Sequence, residues 1–223
     1  GLNAIKWSKN GGVPDSGSSP FPIIPNSICS LRNLSLLAAD FFFQGTIPKC
    51  IGSLQMLKHL RVKRNRKLFG KIPASFGSLN QLTYIFFEEN SLSGPLTPLF
   101  SGSLNALGIA SLRANKFSGS LPDDFGVRLP KMGYFDVSDN YLINGSMPHS
   151  IGSMNYMSTM NVKNCNMTGT LPPSIGMQKY ICLSFFFYLC VKWTESASIL
   201  QMNACARFAH VEVSRVIFLS LTY

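Results

Sequence analysis

Apolar residues in the middle of the chain recur with a period far longer than that of one helix or one strand. Five apolar triplets have the same internal spacing: Leu57, Leu60, Val62; Leu82, Ile85, Phe87; Leu107, Ala110, Leu112; Met132, Phe135, Val137; and Met157, Met160, Val162. The last two residues of each triplet are separated by one position, and such alternation gives a short strand one buried face. The pattern predicts one short strand in each repeating unit.

A series of mainly polar residues has the same period and follows the predicted strands. Its members, at intervals of 25 residues, are Asp40, Asn65, Asn90, Asn115, Asn140 and Cys165. Backbone groups at the end of a strand lose their partners in the sheet, and an amide side chain can replace those partners. A constant period of this length indicates stacked turns of a solenoid.

The second half of each unit carries glycine and proline at regular places. A Gly-x-apolar-Pro segment occupies residues 45–48, 70–73, 119–122, 145–148 and 169–172, and 94–98 is a displaced version. An apolar residue and a glycine follow at 51–52, 76–77, 125–126, 151–152 and 175–176. Because glycine permits tight bends and proline favours extended backbone, each unit is expected to turn back here.

The combination of L-x-x-L-x-L-x-x-N with L-x-G-x-I-P-x-x-I-G-x-L resembles the plant-specific leucine-rich-repeat family of receptor-like kinases, receptor-like proteins and polygalacturonase-inhibiting proteins. The resemblance covers residues 24–176. It implies an α/β fold, a right-handed horseshoe-shaped solenoid with a parallel β-sheet on its concave face and short helical or irregular segments on its convex face. Residues 23–176 would form about six turns.

The segments on either side depart from the repeat. Residues 1–22 contain no repeat unit, and Trp7 is interpreted as an incidental residue rather than the remnant of an N-terminal cap. The cysteine-paired caps of the family are not recognisable. Residues 177–223 form a hydrophobic tail, which is interpreted as an artefact of the gene model or, alternatively, as a cap on the open end of the solenoid.

The resemblance implies that residues alternating with the buried positions of each strand face a ligand on the concave side. The repeat predicts a row of His59, Tyr84, Ile109, Tyr134 and Thr159, a row of Arg61, Phe86, Ser111, Asp136 and Asn161, and a row of Lys63, Glu88, Arg113, Ser138 and Lys163. Exposed aromatic rings beside polar groups suit a peptide or sugar ligand. The candidate ligand-binding residues are His59, Arg61, Lys63, Tyr84, Phe86, Glu88, Arg113, Tyr134, Asp136, Asn161 and Lys163. The alternation of charge in the first three members of the third row also favours pairing between strands.

The charge of the chain points to acidic partners. Twenty Lys and Arg against ten Asp and Glu give a formal net charge of +10, which favours an acidic peptide, an acidic cell-wall carbohydrate or an anionic surface. Basic residues between Lys58 and Lys71 alternate with predicted core positions, so we expect a solvated face and no nucleic-acid partner. Six cysteines without a C-x-x-C pair and only three histidines give no metal site.

No set of residues resembles a catalytic centre, and we expect neither an enzyme nor a cofactor. Glu88 and Glu89 are adjacent on a predicted strand and therefore face opposite ways. N-x-S/T sequons at Asn33, Asn144 and Asn166 are candidate glycosylation sites. Asn144 and Asn166 lie beyond the predicted strands, where a glycan leaves the concave face free.

The leading functional hypothesis is a fragment of the ectodomain of a plant receptor-like protein or receptor-like kinase, which recognises a peptide, a cell-wall fragment or a co-receptor. The alternative is a secreted inhibitor of a cell-wall-degrading enzyme, similar to polygalacturonase inhibitors. An intracellular immune sensor fits less well, because such repeats usually lack the recurring G-x-I-P. The expected location is extracellular or at the cell surface. A membrane anchor would lie outside this chain, since the longest apolar run spans only residues 181–191.

Overall fold

The structure is a computed structural model that describes residues 3–7, 22–41, 43–102, 104–174 and 182–184. Eight short strands build one sheet: β1 (Ala4–Trp7), β2 (Leu36–Ala39), β4 (His59–Arg61), β6 (Tyr84–Phe86), β8 (Ile109–Ser111), β10 (Tyr134–Asp136), β12 (Thr159–Asn161) and β14 (Cys182–Ser184). All neighbouring strands of this long sheet are parallel and follow one another in chain order. The predicted α/β leucine-rich-repeat solenoid is confirmed.

The register of the long sheet follows the sequence period. His59 pairs with Tyr84, Tyr84 with Ile109, Ile109 with Tyr134, and Tyr134 with Thr159. The middle residue of each of these strands is buried, while its neighbours face away from the core. The predicted rows are therefore present as real lateral neighbours.

A second sheet, which the apolar pattern did not predict, runs beside the first. Its six strands are β3 (Gln44–Gly45), β5 (Lys67–Gly70), β7 (Ser91–Pro95), β9 (Lys116–Ser120), β11 (Leu142–Gly145) and β13 (Asn166–Met167). Each contains the residues just after the polar series and up to the Gly-x-apolar-Pro segment. Every turn thus contributes one strand to each sheet before the chain returns.

The return segments are short helices on the opposite side of the solenoid. They comprise five 3-10 helices at Asn26–Ser30, Ile51–Ser53, Ala74–Ser78, Thr97–Leu99 and His149–Ser153, and one four-residue α-helix, α1 (Phe125–Arg128). Glycine allows these segments to stack closely. A Cβ atom on Gly52 would overlap the carbonyl oxygen of Ser75, and one on Gly126 would overlap that of Ser150.

One continuous apolar core lies between the sheets and the return segments. It runs from Ile24 to Val162 and includes the repeat leucines together with a group of phenylalanines. The rings of Phe76 and Phe87 pack edge to face with centroids 5.9 Å apart, and Phe125 and Phe135 pack in the same way at 4.9 Å. Each turn therefore buries its apolar side only against its neighbours, as expected of a solenoid.

The polar series forms a ladder of buried side chains through the solenoid. Asn115 shows the arrangement: its Oδ1 accepts a hydrogen bond from the backbone N–H of Leu92 at 3.0 Å, and its Nδ2 donates to the carbonyls of Phe87 at 2.6 Å and Leu112 at 3.0 Å. The same residue type bonds across turns at Asn65, Asn90 and Asn140. The predicted role of these residues is confirmed.

The two ends of the ladder use other chemistry. In the first turn, one oxygen of Asp40 accepts a hydrogen bond from the backbone N–H of Lys63 at 3.0 Å. In the last, the Cys165 thiol donates to the carbonyl of Val137 at 3.2 Å. Burial, first of all, raises the pKa of the Cys165 thiol to about 12, so it stays protonated and able to donate.

The residue just before each Asn or Cys of the ladder, from Arg64 onward, adopts the left-handed backbone conformation. The φ angles are 59° at Arg64, 56° at Glu89, 55° at Ala114, 58° at Asp139 and 55° at Asn164. The backbone N–H of Ala114, for instance, donates to the carbonyl of Ser138 in the next turn at 2.9 Å. This bend turns the chain out of the long sheet and toward the second one.

The N-terminal segment contributes to the fold, and the interpretation of Trp7 as incidental is wrong. β1 pairs in register with β2, and the Trp7 carbonyl accepts a hydrogen bond from the backbone N–H of Asp40 at 3.2 Å. The half-buried indole packs on Phe43 with ring centroids 5.1 Å apart. Trp7 therefore covers the core next to the first repeat turn, as a cap does.

A disulfide bond joins the first two turns. Cys29 and Cys50 lie 21 residues apart, and their Cα atoms are separated by 5.9 Å. Cys29 is buried within the 3-10 helix Asn26–Ser30, and Cys50 immediately precedes the next one. The repeat does not predict this pair, because the two residues stand at different positions of their repeat units.

Removal of this disulfide is expected to destabilise the solenoid. The double substitution Cys29→Ala and Cys50→Ala should lower the free energy of unfolding by about 3 kcal/mol, since the bond restricts the unfolded chain. Urea unfolding measures the change. Reductant should lower the unfolding midpoint of the unsubstituted chain to about that of the variant, and it should leave the midpoint of the variant unchanged. Equal midpoints of the two proteins in the absence of reductant would contradict the prediction.

Parts of the sequence-based interpretation lie outside the described residues. These are residues 8–21, the Ile175–Gly176 pair, and the tail apart from β14. β14 pairs with β12, with Cys182 beside Thr159, so the long sheet includes one strand from beyond the last recognised repeat. Within the described part of the chain, no helix has the length and apolar character required to cross a bilayer.

Candidate ligand-binding face

The side chains that point away from the core on the long sheet form a surface that we call the open face. Three rows cross it from turn to turn, and their central members are Tyr84, Phe86 and Glu88 on or just after β6. A buried apolar residue follows each of the strands from β4 to β12, so each turn contributes two or three side chains to this face. The face is therefore wide across the turns and narrow along each strand.

The first row provides an aromatic and apolar surface. The His59 ring packs on the Tyr84 ring with centroids 4.8 Å apart and an interplanar angle of 37°. Ile109 and Tyr134 continue the row, and all four side chains are half-buried. A ligand lying across the strands would meet a continuous series of apolar surfaces here.

Lys63 occupies the space between two neighbours of the next turn. Its Nζ lies 2.7 Å from a carboxylate oxygen of Glu88 and 4.4 Å from the centre of the Phe86 ring. The expected pairing in the third row is therefore confirmed for Lys63 and Glu88. A cation fixed over the face of Phe86 holds that ring in place and leaves its outer edge toward solvent.

The two arginines of the candidate set are also paired with carboxylates. Arg61 forms an ion pair of 2.5 Å with Asp40, whose side chain is only 5% exposed. Arg113 pairs with Asp139 at 3.1 Å rather than with Glu88, and Asn164 donates to the second oxygen of Asp139 at 2.7 Å. The hydrogen bond to Asp139 is the main reason that the pKa of Arg113 is raised. The positive charge of the open face is thus largely balanced.

Asp136 belongs to the second row by register but is almost fully buried, with 4% exposure. One of its carboxylate oxygens accepts hydrogen bonds from the backbone N–H and the hydroxyl of Ser138 at 2.9 and 2.6 Å. The other accepts from the Tyr134 hydroxyl at 3.2 Å and the Asn161 amide at 3.3 Å. Asp136 therefore positions its neighbours and presents little surface to a ligand.

This arrangement keeps Tyr134 protonated. Burial is the first cause of its raised pKa, and the nearby negative charge of Asp136 is the second. Tyr134 accordingly serves as a hydrogen-bond donor to Asp136 over the whole physiological pH range. Of the predicted site residues, the structure brings Tyr134, Asp136 and Asn161 into one polar cluster. It stacks His59 on Tyr84, places Lys63 between Phe86 and Glu88, and leaves Lys163 exposed.

His59 links the stability of the solenoid to pH. Burial, and then the positive charge of Lys58, lowers the pKa of His59 below its usual value. The folded chain thus binds this proton more weakly than the unfolded chain does, and the stability contribution present above about pH 6.5 is lost as the pH falls through the lowered pKa.

Replacement of His59 is expected to weaken this pH dependence. Urea unfolding of the His59→Gln variant at about pH 7.5 and pH 5 should show a smaller loss of stability on acidification than the unsubstituted chain. His149→Gln serves as the control, since His149 is an exposed histidine outside the open face. An unchanged pH dependence in His59→Gln would contradict the assignment.

The candidate glycosylation sites are placed away from the open face. Asn144 and Asn166 are exposed on neighbouring strands of the second sheet and are paired in register. Asn33 is exposed in the turn before β2. Glycans at these positions would leave the open face accessible, and their presence remains a prediction. Among the described residues, no group of three His, Cys, Asp or Glu side chains is arranged to hold a metal ion.

No protein-family model matches the sequence, and no curated protein sequence shows significant similarity to it. Solved structures do. The chain is similar to the ectodomain of the plant membrane receptor kinase GASSHO1/SCHENGEN3 from Arabidopsis thaliana in complex with CASPARIAN STRIP INTEGRITY FACTOR 2, with 28% identity, a TM-score of 0.65, and coverage of 77% of this chain and 20% of that chain.

Two further structures show the same fold. A TDR receptor has 29% identity and a TM-score of 0.69, with coverage of 77% of this chain and 29% of that chain. The Arabidopsis receptor kinase HAESA, solved with the peptide hormone IDA and the co-receptor SERK1, has 24% identity and a TM-score of 0.68, with coverage of 79% and 33%. The chain spans between a fifth and a third of the length of these structures. The repeat, the two parallel sheets and these similarities agree: the chain is a leucine-rich-repeat solenoid of the kind that forms the ectodomains of plant receptor kinases.

Proposed function

We propose that this chain is the ligand-recognising part of a plant receptor-like protein or receptor-like kinase and binds an extended peptide across its open face. The observation that carries the proposal is the half-buried row of His59, Tyr84, Ile109 and Tyr134, which crosses several turns without interruption. The chain would act through binding rather than catalysis. A co-receptor is a second expected partner of the complex with the peptide.

The chemistry of the row suits a peptide side chain at each turn. Tyr and His rings offer an apolar surface with a polar tip, a combination that is favoured where binding must be both tight and specific. Successive turns are about 4.8 Å apart, and an extended peptide advances about 3.3 Å per residue. A short linear peptide can therefore contact several turns without folding.

The ion pairs of the open face support this role because they hold its side chains in place before a ligand arrives. Lys63 is fixed between Glu88 and Phe86, and Arg61 is fixed on Asp40. A surface whose side chains are already ordered loses less conformational entropy on binding. Charged groups at its edges would then mainly affect the rate of association and the choice among peptides.

An extracellular location is proposed on two grounds. The Cys29–Cys50 disulfide is of a kind that persists in oxidising compartments. The exposed sequons at Asn33, Asn144 and Asn166 would receive glycans only on the secretory route. The similar solved structures, which are receptor-kinase ectodomains, support the same location.

A displayed library of linear peptides, selected against this chain, tests the proposal. Peptides that bind should lose about tenfold or more in affinity when Tyr84 is replaced by Ala, because a central aromatic anchor contributes roughly 2 kcal/mol or more. Tyr156→Ala is the matched control, since Tyr156 is 69% exposed and lies outside the open face. Selected peptides that bind Tyr84→Ala and the unsubstituted chain equally would overturn the proposal, as would a library that gives no binder dependent on Tyr84.

A further inference from the structure

A groove lies on the flank of the solenoid, away from the open face. It has a volume of about 590 Å³ and is lined by the Gly-x-apolar-Pro regions of three successive turns. Lys49, Lys71 and Thr46 contribute to its lining, while Pro73, Pro95 and Pro98 supply apolar surface. None of these residues belongs to the open face.

The groove arises where the third turn departs from the repeat. In that turn Gly94 is followed directly by Pro95, and the segment that returns the chain is displaced, with a second proline at Pro98. Gly94 also provides room for a neighbour: a Cβ atom here would lie 2.8 Å from the Cγ of Lys71. The aliphatic part of Lys71 therefore lies over Gly94, and Lys71 also lines the groove.

The charge of the chain is concentrated on this end of the solenoid. Residues 1–71 contain eleven Lys and Arg against two Asp and Glu, whereas residues 72–174 contain five against six. Within the described part of residues 22–71 the single acidic side chain, Asp40, is buried and paired with Arg61. The surface around the groove is thus basic, because the carboxylates of the same turns, Asp40, Glu88 and Glu89, are paired with Arg61, Lys63 and Arg64.

The basic residues of the open face are neutralised by partners from later turns, but those of the groove are not. Lys63 and Arg64 pair with Glu88 and Glu89 at 2.7 and 3.6 Å. Lys49 and Lys71 are both exposed, and neither forms an ion pair with any described residue. Lys49 and Lys71 therefore present two ammonium groups at the groove that can meet an external anion.

We propose that this groove is a second binding site, which takes an acidic polysaccharide with a carboxylate on each sugar unit. The two ammonium groups would bind carboxylates, the Thr46 hydroxyl would bind sugar hydroxyls, and the prolines would contact the apolar faces of the rings. The site goes beyond the proposed function, because a polysaccharide held here would tether the chain to a matrix while the open face remained available for a peptide.

The spacing of the solenoid favours a polymer over a small anion. Successive turns are about 4.8 Å apart, which is similar to the length of one pyranose unit in a linear chain. Lys49 and Lys71 come from neighbouring turns, so their charges can meet carboxylates on successive or alternate units of the same strand. A basic surface without a regular array would bind acidic polymers through total charge alone.

Binding of de-esterified galacturonate oligomers to the full chain, compared with the fully methyl-esterified oligomers, tests the proposal. The Lys49→Gln and Lys71→Gln double variant should lose at least tenfold in affinity for the acidic oligomer. The control is the Lys116→Gln and Lys131→Gln double variant, which removes the same charge from exposed lysines outside the groove and should lose less than about threefold. The esterified oligomer should bind weakly, and its affinity should be the same for both double variants and the unsubstituted chain.

Three outcomes would overturn the proposal. Equal losses in the two double variants would show attraction by net charge alone, and equal binding of the esterified oligomer would show that carboxylates are not recognised. Equal and equally lysine-dependent binding of a polyglutamate peptide or of anionic vesicles would show that the site does not select a polysaccharide. Tyr84→Ala should leave oligomer binding unchanged, so failure here and failure of the open-face proposal can be distinguished.

Discussion

Replacement of Asn115 by Ala is expected to lower the free energy of unfolding by about 4 kcal/mol, a large effect for a single polar substitution. The side chain is 7% exposed and connects the backbones of two neighbouring turns. The substitution leaves the N–H of Leu92 without its partner, at a cost of roughly 1–3 kcal/mol. The carbonyls of Phe87 and Leu112 lose one hydrogen bond each, worth roughly 1 kcal/mol, and keep those from Asn90 and Asn140.

The measurement is urea unfolding followed by circular dichroism, with Asn105→Ala as the matched control. Asn105 is exposed in a turn, so the same exchange there should change stability by less than about 0.5 kcal/mol. A loss of less than about 1 kcal/mol in Asn115→Ala would mean that water or the backbone can replace the amide, and the ladder would then be a minor contributor to stability.

The substitution Gly126→Ala is expected to destabilise the chain by about 3 kcal/mol, even though alanine is the better helix former. Gly126 is buried in α1, where alanine would by propensity add up to about 1 kcal/mol of stability. Its Cβ, however, would overlap the carbonyl oxygen of Ser150 and lie 2.8 Å from the Cγ of Met154. Because the nearest atom belongs to the backbone of the next turn, relief requires that two return segments move apart.

Gly108→Ala is the control for this prediction. The nearest atom to a Cβ on Gly108 is the carbonyl oxygen of Lys131 at 3.6 Å, an ordinary contact distance. The two variants therefore exchange the same atoms at sites that differ mainly in free space. Thermal unfolding should show a clear loss for Gly126→Ala and a small change for Gly108→Ala. A stabilised Gly126→Ala variant would show that the return segments are not packed as described.

The sequence period predicted the long sheet and its rows because one 25-residue repeat sets both the spacing and the register. The lateral pairing of His59 with Tyr84 and of Tyr134 with Thr159 follows directly from that period. The amide ladder was predictable for the same reason. Each of these features depends only on equivalent positions in successive turns.

Features that depend on non-equivalent positions were not predictable. Cys29 and Cys50 stand 21 rather than 25 residues apart, and Arg113 reaches Asp139 across 26 residues instead of its row neighbour Glu88. Trp7 precedes the repeat and can be recognised as a cap only through its contact with Phe43. The second sheet has short strands with few apolar residues, so no alternation of apolar and polar positions indicated its strands.

The burial of Asp136 could not be predicted from the repeat either. Its position in the row is the one expected, but its accessibility is set by the neighbouring Tyr134, Ser138 and Asn161, which come from three parts of two turns. Periodicity places a side chain on a face. It does not determine how far the neighbouring side chains close over it.

The left-handed residue before each amide of the ladder has a consequence for how such a protein can change over time. An L-residue with a Cβ is held there at a cost of about 1–2 kcal/mol, and Asn tolerates the conformation better than Ala or Glu. Asn164 already suits its place, whereas Glu89 and Ala114 do not. A substitution to Asn would therefore stabilise several turns independently of one another. During evolution, such a substitution in one turn can offset a destabilising substitution in another turn.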